Sequence, residues 1–287
     1  MITVYAYAKI NLMLDICGRL PNGYHDLSMV MQSVSLCDVL TAETASAVEL
    51  FCANPEMPTG EKSLVRRAAN AFFDATGRTG GVRFTIDSRI PMQAGLGGGS
   101  ADCAAALRAL DTLYKTHLTD AELCAIGVKL GADVPFCLCG GTQFAQGIGE
   151  RLRPLTPLSD GAILLIKPPV GASTAEQFAR SDAIAVPHPS ADRMMDALDR
   201  GLPAVADALG NSFEAVIGLP EIPVRKAALM RFGARGACMT GSGSTVFGLF
   251  DTEADAQSAA DRCCDTFPTD FIAVCRPESV GCRIFAE

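Results

Sequence analysis

The sequence predicts an α+β protein of two closely packed subdomains, and three observations favour this class. Strand-like and helical patterns are mixed in both halves of the 287 residues, without the regular β-α-β repeat of a doubly wound sheet. Hydrophobic residues make up 49% of the chain and charged residues 20%, which allows a large buried core. The pattern changes from about Leu152, and prolines over residues 154–169 form a boundary zone there. We therefore expect two subdomains, 1–152 and 153–287.

The first half of the chain begins with strands. "MITVYAYAKINLMLDI" mixes β-branched and aromatic with small side chains, which predicts a strand over the first 16 residues. "GRLPNGYHDL" is predicted as a loop with a P-N-G turn, and strand-like runs follow over residues 29–52. "EKSLVRRAANAFFDATG" has helical periodicity and closes on Gly77. "GGVRFTIDSRIP" alternates as a strand that ends at Pro91.

A glycine-rich loop and two helices complete the first half. Four glycines between Gly95 and Gly99 precede an alanine-rich helix, predicted from about Ser100 to Tyr114 with the serine as its cap. "TDAELCAIGVKLGAD" begins a second helix at Thr119, with a glutamate three residues later as in a capping box. The "VPF" that follows is predicted to start a strand.

The second half also mixes both kinds of element. "GAILLIK", between prolines, predicts a strand, and "ACMTGSGSTVFGLFD" predicts two strands joined by a glycine turn. One more strand is expected over residues 271–275. The predicted helices cover residues 174–181, 190–208, 211–217 and 253–266.

Composition disfavours several classes of function. A net charge of −8 opposes general binding to nucleic acid or anionic membranes, although a local pocket can still hold a small anion. The apolar runs are too short for a membrane span, and the N-terminal stretch lacks signal-peptide features, which predicts a cytoplasmic protein. The twelve cysteines form no C-x-x-C pair, and the three histidines are far apart in sequence. Reduced, mostly buried thiols are therefore expected rather than disulfides or a zinc site.

The glycine loop is suited to binding an anion. Glycines let backbone N–H groups converge on a phosphate, and the free N–H groups and dipole of the following helix add to the attraction. The loop is not a Walker A motif, because no lysine lies between Arg89 and Arg108. It is not a Rossmann fingerprint either, because the last glycine position, counted from Gly95, is Ser100. A turn that only packs a helix closely explains one or two glycines, but not four with a serine.

Three motifs, taken in order, carry a resemblance to a known family. "AYAKINLMLDICGRLPNGYHDL" comes first, "PMQAGLGGGSADCAAAL" second and "CMTGSGSTVFGLF" third, within about residues 4–250. Together they resemble the first, phosphate-binding and C-terminal glycine motifs of the GHMP kinases, which include galactokinase, homoserine kinase, mevalonate kinase and phosphomevalonate kinase. The resemblance implies the GHMP two-subdomain fold, with an ATP-binding N-terminal domain and phosphoryl transfer from ATP with Mg²⁺.

Lys9 and Asp133 both stand in apolar surroundings, where burial of an unpaired charge costs several kcal/mol. A lone lysine or aspartate is usually solvated or structurally paired, but two unlike charges in such settings favour a shared site. The resemblance implies that Asp133 accepts the proton of the attacking hydroxyl. It also implies that Lys9 stabilises the developing charge and keeps the aspartate ionised.

By the same resemblance, the glycine loop holds the phosphates of ATP. The residues implied are Gly95, Leu96, Gly97, Gly98, Gly99 and Ser100. The Ser100 hydroxyl is expected near the β-phosphate or Mg²⁺, a role compatible with capping the helix. The sequence contains no recognisable all-protein metal site, so the metal is expected with the nucleotide.

"GRLPNGYHDL" and "GADVPFCLCGGTQFAQGIGE" resemble one branch of the superfamily in particular. Its members phosphorylate the 2-hydroxyl of 4-diphosphocytidyl-2-C-methyl-D-erythritol in the non-mevalonate isoprenoid pathway. The resemblance implies that Tyr24 stacks on the cytosine, that His25 bonds its edge and that Phe178 covers its other face, although Phe178 also fits a helical core position. Asn11 points to the same side of the strand as Lys9 and is expected to touch substrate.

Some features leave alternatives open. Gly241 and Gly243 allow the backbone to approach phosphates or substrate closely, but they also fit a simple hairpin turn. Ile148 in "GIGE" stands where the resemblance predicts a basic or polar residue. Rival functions are another GHMP kinase, acting on homoserine or mevalonate, and a catalytically silent ligand sensor on the same fold. A monomer or a weak homodimer is expected.

Overall fold

A computed structural model describes residues 1–286 and confirms the mixed α/β class. Within this range thirteen strands form two sheets, accompanied by nine α-helices, none of which has the length and hydropathy of a membrane span. The strands are β1 (Ile2–Arg19), β2 (His25–Ala45), β3 (Glu49–Cys52), β4 (Gly81–Asp87), β5 (Thr142–Gly147), β6 (Arg151–Pro154), β7 (Ala162–Lys167), β8 (Gly210–Asn211), β9 (Gly236–Met239), β10 (Val246–Phe250), β11 (Phe271–Cys275), β12 (Pro277–Glu278) and β13 (Cys282–Ala286). The helices are α1 (Leu64–Thr76), α2 (Gly98–Tyr114), α3 (Asp120–Gly127), α4 (Val134–Cys139), α5 (Thr174–Ser181), α6 (Ala191–Leu198), α7 (Leu202–Ala208), α8 (Glu221–Arg231) and α9 (Glu253–Thr266).

The larger sheet is organised around the long antiparallel pair β1 and β2. Its main path runs β13-β1-β2-β4-β3, and β5, β6, β8 and β12 pair alongside. β2 changes partner along its length, because residues 39–45 pair with β4 and residues 27–32 with β5. β8, β12 and β13 come from the second half of the chain, so both halves build this sheet.

The smaller sheet has the order β11-β7-β10-β9 and is antiparallel throughout. All four of its strands follow residue 152, and α8 and α9 pack on it. The division into 1–152 and 153–287 stays a prediction. The smaller sheet is built entirely from the second half of the chain, but three strands of that half join the larger sheet.

One edge of β1 brings the two glycine-rich loops together. β13 and β8 pair with the two ends of this edge. Between them, the N–H of Lys9 donates to the carbonyl of Leu96 at 3.0 Å. The N–H of Asn11 donates to Oγ1 of Thr240, also at 3.0 Å. The loops thus occupy the gap between two strands, and Lys9 lies where they meet.

Helix α2 lies in the core, against β1, β2, α1 and α4. Its alanines are fully buried, and such small side chains allow the close approach of several elements at once. Its first turn includes Gly98 and Gly99 of the first glycine-rich loop, and Gly97 is its N-cap. The core packing therefore fixes the position of that loop.

Several local predictions are confirmed. α1 ends at Thr76 with Gly77 in the left-handed conformation, as predicted for a glycine C-cap. The Thr119 hydroxyl accepts the N–H of Glu122 at 3.3 Å, and the glutamate carboxylate accepts the Thr119 N–H at 2.8 Å, which completes the capping box. The strands and turn predicted in "ACMTGSGSTVFGLFD" are β9, β10 and the segment between them.

Two predictions near the glycine loop and Asp133 are wrong. Gly97, not Ser100, is the N-cap of α2, because the helix already includes Gly98 and Gly99. The "VPF" predicted as a strand forms α4, with Pro135 in its first turn. Proline is pre-organised for that position and its missing N–H is not needed there.

Other boundaries also differ. The helix predicted over 190–208 is two helices, α6 and α7, because Gly201 has φ +90° and interrupts it. The loop predicted to reach residue 27 ends earlier, since β2 begins at His25. The helix predicted over 211–217 is a short 3₁₀ turn at Ser212–Ala215.

All twelve cysteines lie in the described range, where they are free thiols. Six are buried, four are half-buried and two, Cys17 and Cys264, are exposed. Burial raises the pKa of Cys103 and of Cys282 to about 12, so these two thiols stay neutral at ordinary pH. They pack as small apolar side chains.

Candidate active site

A single cleft of about 810 Å³ collects nearly all the residues expected to be functional. Segments from both halves of the chain line it, including both glycine loops. The expected site residues among its lining are Lys9, Tyr24, His25, Gly95, Leu96, Gly97, Gly98, Gly99, Ser100, Asp133, Phe178, Gly241 and Gly243. Asn11 is the expected site residue that is not part of this lining.

Lys9 and Asp133 meet inside this cleft. The Nζ of Lys9 lies 3.5 Å from Oδ2 of Asp133, and the exposed fractions of the side chains are 6% and 29%. The lysine is therefore desolvated, while the aspartate keeps a face open to the cleft. A separation of 3.5 Å is a loose ion pair, which leaves the carboxylate able to accept a proton from a third group.

Asp133 owes its position to the start of α4, where it is the N-cap residue. An anion at the N-terminus of a helix is favoured by the free N–H groups there. The "GIGE" turn between β5 and β6 lies beside it, since a Cβ on Gly149 would come 3.7 Å from Oδ1 of Asp133. Ile148 lines the cleft, and its N–H donates to Glu150 at 2.8 Å, which fixes the turn.

Asn11 does not line the cleft, and its expected contact with substrate stays a prediction. Its side chain is fully buried, and Oδ1 accepts from Nζ of Lys9 at 2.9 Å and from the N–H of Gly241 at 3.0 Å. Its Nδ2 faces the sulfur of Met29 at 3.4 Å. The residue thus lies behind Lys9, where it orients the ammonium group and ties it to the second glycine loop.

The two glycine loops touch each other through backbone atoms. A Cβ on Gly95 would lie 2.2 Å from the carbonyl oxygen of Thr240, and a Cβ on Gly241 would lie 2.9 Å from that of Gly95. Side chains at either position would separate the loops. Gly243 has φ +92° and lies in the turn between β9 and β10, which lines the cleft. The hairpin turn expected there is confirmed, while the close approach to phosphates or substrate stays a prediction.

Gly97 is the point where the phosphate-binding loop meets Lys9. It has φ +73°, and a Cβ there would come 3.0 Å from Cγ of the lysine. Gly98 and Gly99 are already helical, so their N–H groups belong to the first turn of α2 and lack intrahelical partners. The loop therefore presents unpaired N–H groups beside a fixed lysine, which suits a phosphate.

The far end of the cleft is aromatic. Tyr24 is 62% exposed, whereas the His25 side chain is only 10% exposed and its ring stacks on Phe178, with centroids 4.3 Å apart and an angle of 13° between the planes. Phe178 also meets Phe213 edge-on at 4.9 Å. The prediction placed a cytosine between Tyr24 and Phe178 with His25 at its edge. Here the imidazole itself covers a face of Phe178.

Asp182 holds His25 in place. The His25 Nε2 and Oδ1 of Asp182 are 2.7 Å apart, and Arg19 lies 3.7 Å from the same carboxylate. The hydrogen bond from the histidine lowers the pKa of Asp182. With Nε2 engaged in this way, Nδ1 remains for a ligand in the cleft.

The donors available in the cleft fit a metal carried by a nucleotide better than one held by protein alone. Within residues 1–286, no three His, Cys, Asp or Glu side chains are grouped as metal ligands. Ser100 and Asp133 supply oxygen donors on the cleft wall. Mg²⁺ usually binds through one or two protein oxygens plus phosphate oxygens and water, so this sparse set fits it.

Sequence reasoning missed two residues that organise the site. Thr240, fully buried, accepts the N–H of Asn11 and lies 3.3 Å from the carbonyl oxygen of Gly95. Its motif drew attention only to the glycines beside it. Asp182 has no motif around it, and only the fold brings it to His25 across 157 positions of sequence.

The architecture is that of a GHMP kinase. Residues 63–141 match the GHMP kinases N terminal domain, and residues 194–269 match the GHMP kinases C terminal domain. The homoserine kinase from Cytophaga hutchinsonii has the same fold, with a TM-score of 0.79 over 99% of this chain and 97% of that one. Its sequence identity is 16%, so this likeness shows the fold alone.

Relatives with higher sequence identity show which family of GHMP kinases this chain belongs to. The chain is 36% identical, over 274 residues, to a 4-diphosphocytidyl-2-C-methyl-D-erythritol kinase of Clostridium botulinum (strain Alaska E43 / Type E3), covering 94% of this chain and 98% of that protein. A crystal structure of 4-(cytidine 5'-diphospho)-2C-methyl-D-erythritol kinase has a TM-score of 0.79 and 33% identity, covering 96% and 99% of the two chains. The chain belongs to the 4-diphosphocytidyl-2-C-methyl-D-erythritol kinase family.

Proposed function

We propose that this protein transfers the γ-phosphoryl group of ATP to the 2-hydroxyl of 4-diphosphocytidyl-2-C-methyl-D-erythritol. The observation that carries the proposal is the Lys9–Asp133 pair, which lies in one cleft with the glycine loop and an aromatic cluster. The cleft therefore offers a phosphate end, a proton acceptor and a surface for a flat base. The family's named substrate has a hydroxyl-bearing chain linked through a diphosphate to cytosine, which suits these parts.

Asp133 is the proton acceptor in this mechanism. The substrate hydroxyl gives its proton to the carboxylate as its oxygen forms a bond to the γ-phosphorus, and the bond to ADP breaks. The open face of Asp133 allows the hydroxyl to approach. Lys9, whose ammonium group lies beside the carboxylate, stabilises the negative charge that develops.

The loop from Gly95 to Ser100 holds the phosphates. N–H groups at the start of α2 attract the negative oxygens, and Gly97 brings the backbone close to Lys9. Mg²⁺, carried in with ATP and contacted from the Ser100 side, would neutralise charge on the phosphate oxygens. Asn11 and Thr240 hold Lys9 and both glycine loops in fixed positions relative to one another.

The aromatic end of the cleft binds the cytosine. Tyr24 offers an exposed ring for stacking, and His25, held by Asp182, presents Nδ1 to the edge of the base. Placing the base against Phe178 requires the His25 ring to leave the face it now covers. Side chains at interfaces commonly change rotamer when a ligand binds.

A substrate panel tests the proposal. Purified protein, ATP and Mg²⁺ are mixed in turn with 4-diphosphocytidyl-2-C-methyl-D-erythritol, homoserine and mevalonate, and ADP release is measured. We expect turnover with the cytidine substrate and none above background with the other two. Turnover with homoserine or mevalonate would reassign the substrate, and ATP binding without turnover of any of them would indicate a ligand sensor.

A further inference from the structure

Two cysteines outside the cleft face each other across the pair of helices α3 and α4. The Sγ atoms of Cys124 on α3 and Cys139 at the end of α4 are 3.9 Å apart. Within residues 1–286, which include all twelve cysteines, no other two thiols are hydrogen-bonded to each other. Both residues are half-buried rather than enclosed in the core, and neither lines the cleft. The pair therefore offers thiol chemistry at a place separate from the kinase site.

The contact between the thiols favours Cys139 as a nucleophile. The hydrogen bond from Cys124 lowers the pKa of Cys139 to about 7, and the same bond raises the pKa of Cys124. Burial and the charge of Asp120 oppose the lowering, while the Arg108 guanidinium supports it. That guanidinium is fixed nearby, because it donates to the carbonyl of Leu138 at 3.1 Å and lies 2.6 Å from Oδ1 of Asp120. A thiol with a pKa near the ambient pH is the best attacking group in thiol–disulfide exchange.

The chain between the two cysteines includes Asp133. Residues 128–133 connect α3 to α4, and Asp133 is the N-cap of α4. The Sγ of Cys124 also lies 3.9 Å from the carbonyl oxygen of Pro135, in the first turn of α4. A bond between the two sulfurs would therefore close a loop of chain that contains the residue proposed as proton acceptor.

The C-terminal end of α4 is fixed by the segment before β13. A Cβ on Gly281 would collide with the carbonyl oxygen of Cys137, and the thiol of Cys282 donates to the same oxygen at 3.4 Å. An S–S bond is about 2 Å long, so the sulfurs of Cys124 and Cys139 must approach each other by about 2 Å to form one. Since this end of α4 is held, the movement falls on α3 and on the connection that leads to Asp133.

We propose that Cys124 and Cys139 are a modification site, at which a low-molecular-weight disulfide oxidises the two thiols to a disulfide that displaces Asp133 and lowers kcat. The effect on kcat rests on the proposed function. The formation of the bond does not depend on that function.

The reaction consists of two thiol–disulfide exchanges. The Cys139 thiolate attacks one sulfur of the small disulfide, which forms a mixed disulfide and releases one small thiolate. Cys124 then gives its proton to that thiolate and attacks the sulfur of Cys139, which releases the second small thiolate. The two cysteines lose two electrons, and the small disulfide is reduced to one thiol and one thiolate.

Mass spectrometry of wild-type protein tests whether the bond forms. The protein is treated with oxidised glutathione and digested without reduction. We expect peptides linked between Cys124 and Cys139, a loss of two free thiols, and reversal of both by dithiothreitol. An unmodified pair, a lasting glutathione adduct in place of the link, or links between other cysteines would overturn the proposal. This measurement needs neither a variant nor a substrate.

Two serine variants test the order of the exchanges. Cys124→Ser should trap a glutathione adduct at Cys139, because the second thiol is missing. Cys139→Ser should leave Cys124 unmodified, because the attacking thiolate is missing. The reverse pattern would overturn the assignment of Cys139 as the attacking thiol.

Kinetics with the cytidine substrate test the consequence for Asp133. We expect oxidation of wild type to lower kcat by about 10-fold or more, since a displacement of about 1 Å can cost about 100-fold. Cys139→Ser should have nearly the kcat of wild type and keep it after treatment. Cys264→Ser is the matched control, because it removes an exposed thiol on α9 and should lose activity on oxidation as wild type does.

Two kinetic results would contradict the proposal. A linked wild-type protein with unchanged kcat would show that the bond does not displace Asp133. An equal loss of kcat in treated Cys139→Ser would show that the oxidant acts at another residue. If untreated wild type turned over no substrate, the proposed function would fail, while the mass spectrum would still decide whether the bond forms.

Discussion

At the scale of single residues, the chemistry depends on how Asp133 is held. The carboxylate lies 3.5 Å from Nζ of Lys9, and its side chain keeps a face open to the cleft. In a shorter and fully buried ion pair, Lys9 would hold the Asp133 carboxylate too tightly for it to accept a proton from another group. The site therefore combines a desolvated cation with an accessible base.

Replacing Asp133 with asparagine should test the base directly. Asp133→Asn keeps the shape but removes the proton acceptor, so kcat should fall by about 10²- to 10⁴-fold, with a smaller change in KM. Steady-state kinetics with the cytidine substrate, and a melting temperature to verify folding, provide the measurement. A well-folded variant with kcat near wild type would exclude Asp133 as the base.

Tyr24 tests the assignment of the aromatic end to cytosine. Stacking of a base on an aromatic ring contributes about 1–3 kcal/mol, so Tyr24→Ala should raise KM for the cytidine substrate by about 5- to 150-fold. Tyr24→Phe keeps the ring and should have a mild effect. KM for ATP should change in neither variant, and equal damage to both substrates would indicate a folding defect instead.

Residue-level prediction succeeded where the chemistry itself was visible. Lys9 and Asp133 stood out because unlike charges are rarely buried without each other, and the structure places them in contact. Asn11 was expected at the substrate because it shares a strand face with Lys9. Its burial depends on the loop at Gly241 closing over it, a contact between residues 230 positions apart.

At the scale of elements, the phosphate-binding loop is a left-handed turn followed by a helix. Gly97 provides the turn at φ +73°, and α2 starts immediately after it. A residue with a Cβ would be strained there and would press on Lys9. The loop conformation and the lysine position are therefore coupled.

Gly97→Ala should weaken ATP binding more than it weakens the fold. The left-handed conformation costs a non-glycine residue about 1–2 kcal/mol, and the added Cβ would lie 3.0 Å from Cγ of Lys9. Gly77→Ala is the control, because Gly77 has a similar φ of +64° but open space around it at the end of α1. Calorimetry and thermal melting separate the two effects. We expect similar losses of stability, but weaker ATP binding only for Gly97→Ala.

Elements with local signals were predicted well. α1 has helical periodicity and a terminal glycine, and α3 has its capping box. The errors arose where a short apolar run fits two structures. "VPF" suits a strand by composition, yet Pro135 and the preceding aspartate form the first turn of a helix once α4 packs against α2.

At the scale of the whole molecule, burial of Asp102, which lies 2% exposed on α2 and near the buried Asp38, makes stability depend on pH. Asp102 has a raised pKa in the folded state, so the folded protein holds a proton that the unfolded chain releases near pH 4. Its contribution is fully present below that pH and is lost as the pH rises towards the folded pKa. Each proton held in this way changes the free energy of unfolding by up to about 1.4 kcal/mol per pH unit.

Comparison of wild type with Asp102→Asn isolates this effect. The asparagine does not titrate, so the unfolding free energy of the variant relative to wild type should increase as the pH rises from about 4 to 8. Denaturant unfolding at several pH values measures the difference. A constant difference across this range would mean that Asp102 has an ordinary pKa in the folded protein.

The sequence by itself determined the fold class, the family resemblance and the pairing of Lys9 with Asp133. These follow from short-range information, because periodicity, caps and glycine-rich motifs depend on residues near one another in the chain. It also identified the glycine-rich loop from Gly95 to Ser100, which lines the cleft. It did not contain a visible signal for β8, β12 and β13, which join the first sheet from the far end of the chain.

Only the tertiary structure decided which side chains act together around that pair. The Thr240 contact with Asn11, the Asp182 contact with His25 and the Gly241 contact with Asn11 all join distant segments. Such contacts are fixed when strands and loops from both halves close on β1 and β2. Their energy depends on burial and on distance in space, and neither quantity exists until the chain has folded.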